Sequence, residues 1–498
     1  MEPRKKVVTP TRSLIFRFAA VSLGISGLAI AEGVCRLLNI GSSVETAIVQ
    51  SGFGGSNPLF VLDQSKGLYN ISKSRLKFFV PESFPAKKGK RTFRIFCLGG
   101  STVQGRPYSK ETAFPAWLEL SLKAADPDRD WEVINCGGVS YASYRLVPIL
   151  QECLNYEPDL ILLCTGHNEF LEERTYRYVK RVPEFLIDAS EAVMRLRISR
   201  LMQRALHKVS GILNLVPKPN PPTRTSDADA LLDYRNGLKA FQRDKALQVT
   251  VIKEFEFNVR RMIAMAQRAE VPVLLIGPPS NLRDSPPFKS QHRDELTKAQ
   301  LVGWTNLVQN ASTYARTNLR SEASLLNQAI AIDDQFAQTY YSLGKCYQAL
   351  GTFDKAKEAF FKARELDVCP LRILKPMESI LLKIAGGTRT HLVDSHDLLE
   401  RQSEWGILGS DWLVDHVHPS IRGHQLIADA LVDDMERLDW VKPIRDWKST
   451  REGSYKAHFD SLDELYFLHG QQRLENLRAW THGMADGPPI EERLNRLR

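Results

Sequence analysis

Five short apolar runs constrain this chain more than any other feature. Residues 93–98, 132–136, 160–165, 271–276 and 391–394 each run into Gly, Ser, Asn or Asp. Short runs that stay apolar, without polar alternation, are the pattern of strands buried on both faces. Helical patterns over 113–125 and 144–156 follow the first and second runs, and another over 253–269 precedes the fourth. The alternation predicts an α/β fold around a parallel five-stranded sheet with helices on both faces. In such sheets the reactive groups gather at the carboxyl ends of the strands. The composition, 43% hydrophobic and 25% charged over 498 residues, is that of a globular protein with room for several folding units.

Two insertions interrupt the alternation. The first, 172–251, holds a basic amphipathic helix over 184–208 and a proline-rich linker over 216–222 that cannot be regular structure. That helix is read as covering the body, with an anionic membrane surface as the alternative. The second, 297–369, places Tyr340, Leu343, Gly344, Tyr347, Ala356, Phe360 and Ala363 at the small and large positions of a 34-residue helix-turn-helix unit. It resembles a tetratricopeptide repeat, preceded over 325–333 by the second helix of another. One and a half such units need a neighbour, so the module must pack on the body or on a protein partner. The division that results is a membrane-directed segment over 1–40, a core in three parts (91–171, 252–296 and 370–440), insertions over 172–251 and 297–369, and a helical extension over 441–498.

The amino terminus carries Arg4, Lys5, Lys6, Arg12 and Arg17 against Glu2, then fourteen uncharged residues over 18–31. That order is the layout of an export signal. A helix of fourteen residues spans about 21 Å, so a signal anchor needs the flanking apolar residues, and the alternative is cleavage after the small residues 29–31. Either reading puts the remainder outside the cytoplasm, membrane-anchored or secreted. The net charge of +9 collects in this segment and in Arg195, Arg197, Arg200, Arg204 and Lys208. No basic stripe is left to grip a nucleic acid. The seven cysteines lack CxxC spacing and a histidine cluster, so neither a metal site nor a disulfide framework is signalled, and no cofactor is implied. Cys97, Cys136 and Cys164 lie inside strand-like runs, where a thiol behaves as a small hydrophobe.

Four pieces could carry chemistry. Leu98-Gly99-Gly100-Ser101-Thr102 ends the first strand, with glycines permitting a turn that exposes a hydroxyl. Asn135-Cys136-Gly137-Gly138-Val139-Ser140 ends the second, and Gly166-His167-Asn168-Glu169 ends the third. Far downstream, Asp415-His416-Val417-His418-Pro419 sets a carboxylate three residues before an imidazole. A serine needs a base to accept its proton, an imidazole suits that task, and a carboxylate holds the tautomer. His416 competes as the base, and the spacing favours His418. His167, His396 and His424 are read as satisfying local hydrogen bonds.

In this order the four pieces resemble the sequence blocks of the SGNH hydrolases, also called GDSL esterases and lipases, over about 91–170 and 271–435. The resemblance implies a flavodoxin-like three-layer fold, Ser101 as nucleophile, His418 as base and Asp415 as the group orienting it. It further implies an oxyanion hole of the Ser101 N–H, a second-block N–H and the Asn168 amide. Gly138 is the first choice in the second block, and Ser140 fits too. The chain departs from the family in reading Gly-Gly-Ser-Thr for Gly-Asp-Ser and in having Glu169 where aspartate is usual. Asn281, Arg283 and Asp284 after the fourth strand, and Arg145 near the second block, are candidate substrate contacts. The function expected is hydrolysis of an ester, a glycan acyl group or a lipid. The alternatives are transfer of that acyl group to an envelope glycan and a non-catalytic scaffold bearing the repeats.

Overall fold

The computed structural model describes residues 33, 58–171 and 237–481, except 316 and 389. Residues 58–171 and 237–481 belong to one compact unit. The amino-terminal segment over 1–40 (residue 33 apart), the basic helix over 184–208 and the proline-rich linker lie outside the described residues. Among the described residues no helix is long and apolar enough to cross a membrane.

The unit is built on a parallel sheet of five strands: β4 (Thr92–Gly99), β5 (Asp130–Gly137), β6 (Leu160–Cys164), β7 (Val273–Gly277) and β8 (His391–Asp394). Their order is β5-β4-β6-β7-β8, and every neighbouring pair is parallel. All five expected strands are present. Alternate residues of each strand serve opposite faces. Phe96, Leu98, Ile134, Ile161, Leu163 and Leu275 enter one core with helices α3 (Ser143–Cys153), α5 (Lys245–Arg268) and α10 (Lys375–Gly387). Ile95, Cys97, Val133, Leu162, Leu274 and Ile276 enter the other, with α2 (Phe114–Ala125), α12 (Ile421–Arg437) and α13 (Trp447–Asp460). The result is three layers, as expected. Cys97, Cys136 and Cys164 are free thiols buried in these strands.

A second sheet has no counterpart in the sequence reading. β1 (Phe60–Asp63), β2 (Leu68–Ile71) and β3 (Ser83–Pro85) form an antiparallel order β1-β2-β3. It is tied to the body by Glu152 on α3, whose carboxylate accepts the Leu59 and Phe60 N–H groups, each at 2.8 Å. Phe60 and Phe84 pack edge-on against Phe96 of β4.

After a short helix α4 (Gly237–Ala240) and α5, the second insertion contains α6 (Lys298–Tyr314), α7 (Leu319–Ile332), α8 (Ala337–Ala349) and α9 (Phe353–Glu365). It therefore holds two helical pairs where the sequence suggested one and a half. The early helix escaped notice because only Trp304 and Ala311 of its seventeen residues are buried. Ala356 and Phe360 share a small core with Leu282 and Ile407 of the body. Polar ties add to it: the Tyr341 hydroxyl donates to the Arg283 carbonyl at 3.0 Å, and Lys345 Nζ to Asp284 Oδ1 at 2.9 Å. The module thus packs on the loops that follow β7.

The chain then runs through α11 (Ser395–Glu400) and α12 to α13 and α14 (Glu464–Thr481). Helix α14 reaches back to the sheet's carboxyl end. The Tyr466 hydroxyl meets Thr112 Oγ1 at 2.8 Å, Arg473 donates to the Tyr108 carbonyl at 2.7 Å, and Arg478 to the Val414 carbonyl at 3.1 Å. The helix closes on the Tyr108 ring at Gly470, where a Cβ would lie 2.1 Å from a ring carbon.

Candidate active site

Ser101 opens the four-residue helix α1 (Ser101–Gln104) directly after β4, with Gly100 as the residue before it. Being first in a helix, its N–H has no acceptor four residues back. Gly100 is required by contact: a Cβ there would sit 2.7 Å from Asn168 Nδ2. An aspartate at this position, which the family name expects, would require the Asn168 amide to shift.

The second half of the site is a turn enclosed by an isolated antiparallel bridge between Leu413 and Pro419. Asp415 Oδ1 accepts the N–H groups of Val417 and His418, each at 2.8 Å, which folds the turn around the carboxylate. Its Oδ2 stands 2.6 Å from His418 Nδ1, and His418 Nε2 stands 2.7 Å from Ser101 Oγ, across 317 positions of sequence. An ionised carboxylate only accepts, so Nδ1 carries the proton and Nε2 is left to accept from the serine hydroxyl. Burial alone would raise the Asp415 pKa. The His418 and His416 charges and the bonds from His418 outweigh burial and hold the carboxyl well below its ordinary range. His416, the competing base, is pushed down to about 4 by burial with help from His418, and its ring packs on Phe288.

Asn168 donates through Nδ2 to the Tyr141 carbonyl at 3.1 Å, which fixes the amide above Gly100 and leaves its second N–H uncommitted among the described residues. Gly138 is a correction. Its N–H donates to the Gly99 carbonyl at 2.9 Å, continuing the β4–β5 ladder, and so is not a free oxyanion donor. Of the two residues that fit the second block, Ser140, held at φ 60, has an N–H with no acceptor among the described residues.

Glu169 gains a physical role. Its longer side chain reaches the first turn of α3, where Oε1 accepts the Ser143 N–H and Oε2 the Ser143 hydroxyl, each at 2.8 Å. Burial pushes its pKa up to about 7 against those bonds. The third-block loop is thereby pinned to a helix amino terminus.

A small cleft beside Ser101 is lined by Gly100, Ser101, Thr102, Tyr141, Cys164, Thr165, Gly166, His167, Asn168 and Pro278. Tyr141, Thr165 and His167 were not expected there as site residues. Burial raises the Cys164 thiol to about 12, which rules it out as a second nucleophile.

The expected substrate contacts lie elsewhere. Asn281 supports the catalytic turn, its Nδ2 donating to the Asp415 carbonyl at 3.0 Å and its N–H to the His416 carbonyl at 2.9 Å. Arg283 is 5% exposed and bound between Asp284 at 3.0 Å and Asp411 at 3.2 Å. Arg145 is buried on α3 over the Tyr141 ring, with Nε on the Tyr144 hydroxyl at 3.2 Å. None of the three lines the cleft, because each is consumed in holding a loop or a helix. His167, His396 and His424 each accept one backbone N–H through Nδ1, from Ile373, Ser280 and Phe114.

No family model and no curated protein matches this chain. Among solved structures it is similar to a protein of the G-D-S-L family from Desulfitobacterium hafniense DCB-2, at 10% identity and TM-score 0.29 over 69% of this chain and 98% of that one. It is also similar to the acetyl xylan esterase AlAXEase, at 11% identity and TM-score 0.32 over 69% and 99%. A third is the acetylxylan esterase Axe2 from Geobacillus stearothermophilus, at 12% identity and TM-score 0.31 over 70% and 96%. At such identities and scores these neighbours carry no weight for the chemistry, which rests on the residues themselves.

Proposed function

We propose that this chain is a serine hydrolase of the SGNH type that cleaves carboxylic esters. One observation carries the reading: the Ser101 hydroxyl, the His418 imidazole and the Asp415 carboxylate stand in one hydrogen-bonded line at 2.7 and 2.6 Å. In the first step Ser101 Oγ bonds to the ester carbonyl carbon as its proton passes to His418 Nε2, and the carbonyl pair moves onto the oxygen. The Ser101 N–H and the Asn168 amide face that oxyanion. Collapse breaks the bond to the alcohol oxygen, which leaves with the proton from His418. Water then repeats the sequence on the acyl-enzyme and releases the acid.

The cleft narrows the substrate. Among the described residues lining it there is no Leu, Ile, Val, Met or Phe. A fatty acyl chain is held by such side chains, so the ester favoured is a short acyl group on a polar alcohol. The amino-terminal segment supports an extracytoplasmic, membrane-anchored location, where acylated glycans are such esters. The helical module, read as tetratricopeptide-like, is a place for a protein partner on its side away from Leu282.

A fluorophosphonate probe tests the reading. The folded protein is expected to become labelled, with Ser101→Ala abolishing the label. A folded wild-type protein that takes no label makes this a scaffold, not a hydrolase.

A further inference from the structure

The second-block loop leaves the sheet at Gly138, whose N–H bonds to β4 at the Gly99 carbonyl. One residue on, the Val139 N–H donates to the Phe78 carbonyl at 2.9 Å, a group supplied by the segment between β2 and β3. The same carbonyl accepts from the Gln104 side chain, whose Nε2 lies at 2.8 Å. Gln104 is the last residue of α1, the short helix that Ser101 opens, and it is 6% exposed. A carbonyl oxygen can take two donors and is satisfied by one. The Val139 N–H already satisfies this one, so the glutamine amide does not rescue a stranded acceptor. What it adds is a fixed spacing: a single oxygen ties the nucleophile helix on one side to the second block on the other.

The tie matters because of what the loop carries in its next two residues. Ser140 has the N–H without an acceptor among the described residues. The Tyr141 carbonyl holds Asn168 Nδ2 at 3.1 Å, and the Tyr141 ring is met edge-on by Phe78 and Phe79, with centroids 5.9 and 4.8 Å away. A shift at Val139 therefore moves both the Ser140 N–H and the Asn168 amide relative to Ser101. Such donors lower the barrier only where they meet the developing charge, so the bonds that preset them count in the rate. Gln104 does not itself line the cleft, and it acts through these groups. Resting on the hydrolase reading above, we infer that Gln104 is a positioning residue: through the Phe78 carbonyl its amide sets the second-block loop against the nucleophile helix, and with that loop the donors on the oxyanion side.

Gln104→Met keeps the length and bulk of the side chain and removes its donor, while Phe78 keeps the Val139 N–H, so the melting temperature is expected to stay close to that of the parent. On a short-chain acetate kcat is expected to fall about five- to tenfold, the scale of one neutral hydrogen bond. KM stays within about twofold, as for a group that acts in the transition state. Fluorophosphonate labelling slows by the same factor as kcat. The acid limb of kcat against pH, which reports His418, keeps its place because no bond of Asp415 or His418 is touched. Gln104→Glu, as a carboxylate, turns an acceptor toward the Phe78 carbonyl, and its kcat is expected to fall below that of Gln104→Met. Full kcat in a folded Gln104→Met overturns the inference, as does a loss confined to KM or a displaced acid limb. A methionine variant that fails to fold overturns it too, since the glutamine then serves the fold itself, and so does a kcat in Gln104→Glu at or above that of Gln104→Met. Labelling of the parent at Ser101 separates the two levels: a labelled parent with an equally fast Gln104→Met sinks this inference alone, and an unlabelled parent sinks the hydrolase reading with it.

Discussion

Asp415→Asn exchanges one carboxylate oxygen for an NH₂ at a position where both oxygens accept. Oδ1 receives two backbone N–H groups at 2.8 Å, and Oδ2 faces His418 Nδ1 at 2.6 Å. The single amide oxygen goes to the two backbone donors, which cannot rotate away. The NH₂ then points at Nδ1, and a donor there favours the tautomer protonated on Nε2. That nitrogen lies 2.7 Å from Ser101 Oγ and can no longer take its proton. The expected loss in kcat is about 10⁴-fold, equal to about 5.4 kcal/mol of transition-state stabilisation. The turn keeps both backbone bonds, so the melting temperature stays close to that of the parent. The assay is the rate of fluorophosphonate labelling together with hydrolysis of a short-chain acetate, alongside a thermal melt. A loss below about tenfold in a variant with an unchanged melt would refute the tautomer argument.

Two further outcomes follow from the same geometry. Asn168→Ala removes an oxyanion donor and is expected to lower kcat by about 10²- to 10³-fold with little change in KM; steady-state kinetics on the short acetate read this, and an effect confined to KM counts against the assignment. Glu169 has its folded pKa raised to about 7, above the ordinary carboxylate value. Its contribution is thus fullest below the unfolded pKa and is lost as pH rises from about 4.5 to about 7. The wild-type protein should lose stability across that window relative to Glu169→Gln, which does not titrate, and parallel curves for the two in melts from pH 4 to 8 would contradict the shift.

The parts of the fold that were legible are those whose pattern is local. The runs of β4 and β6 are apolar because both faces are covered, and the sheet order needs little more. The strands β1 to β3 were not legible: each has three or four residues, of which at most one is fully buried, so no alternation is sustained. The three residues of the proposed triad could be singled out because the serine turn and the Asp415 to His418 spacing are short motifs. The oxyanion donor of the second block could not, since which glycine N–H continues the ladder depends on pairing with Gly99. Arg283 looked like a substrate contact because its partners Asp411 and Glu404 lie more than a hundred positions away. His167 was read as serving a local hydrogen bond, and the partner it serves, Ile373, lies 206 positions downstream.

The last described helix bears on how much of the chain the proposed hydrolase needs. Through Tyr466, Arg473 and Arg478 it grips the stretch after the nucleophile turn and the residue just ahead of Asp415. The two halves of the proposed proton relay are 317 positions apart in sequence, and this one helix touches the neighbours of both. Expressing only the strands and their four motifs, with a stop near 440, would discard that brace while keeping every residue named in the chemistry. Any shortened version meant for kinetics therefore has to extend through Thr481.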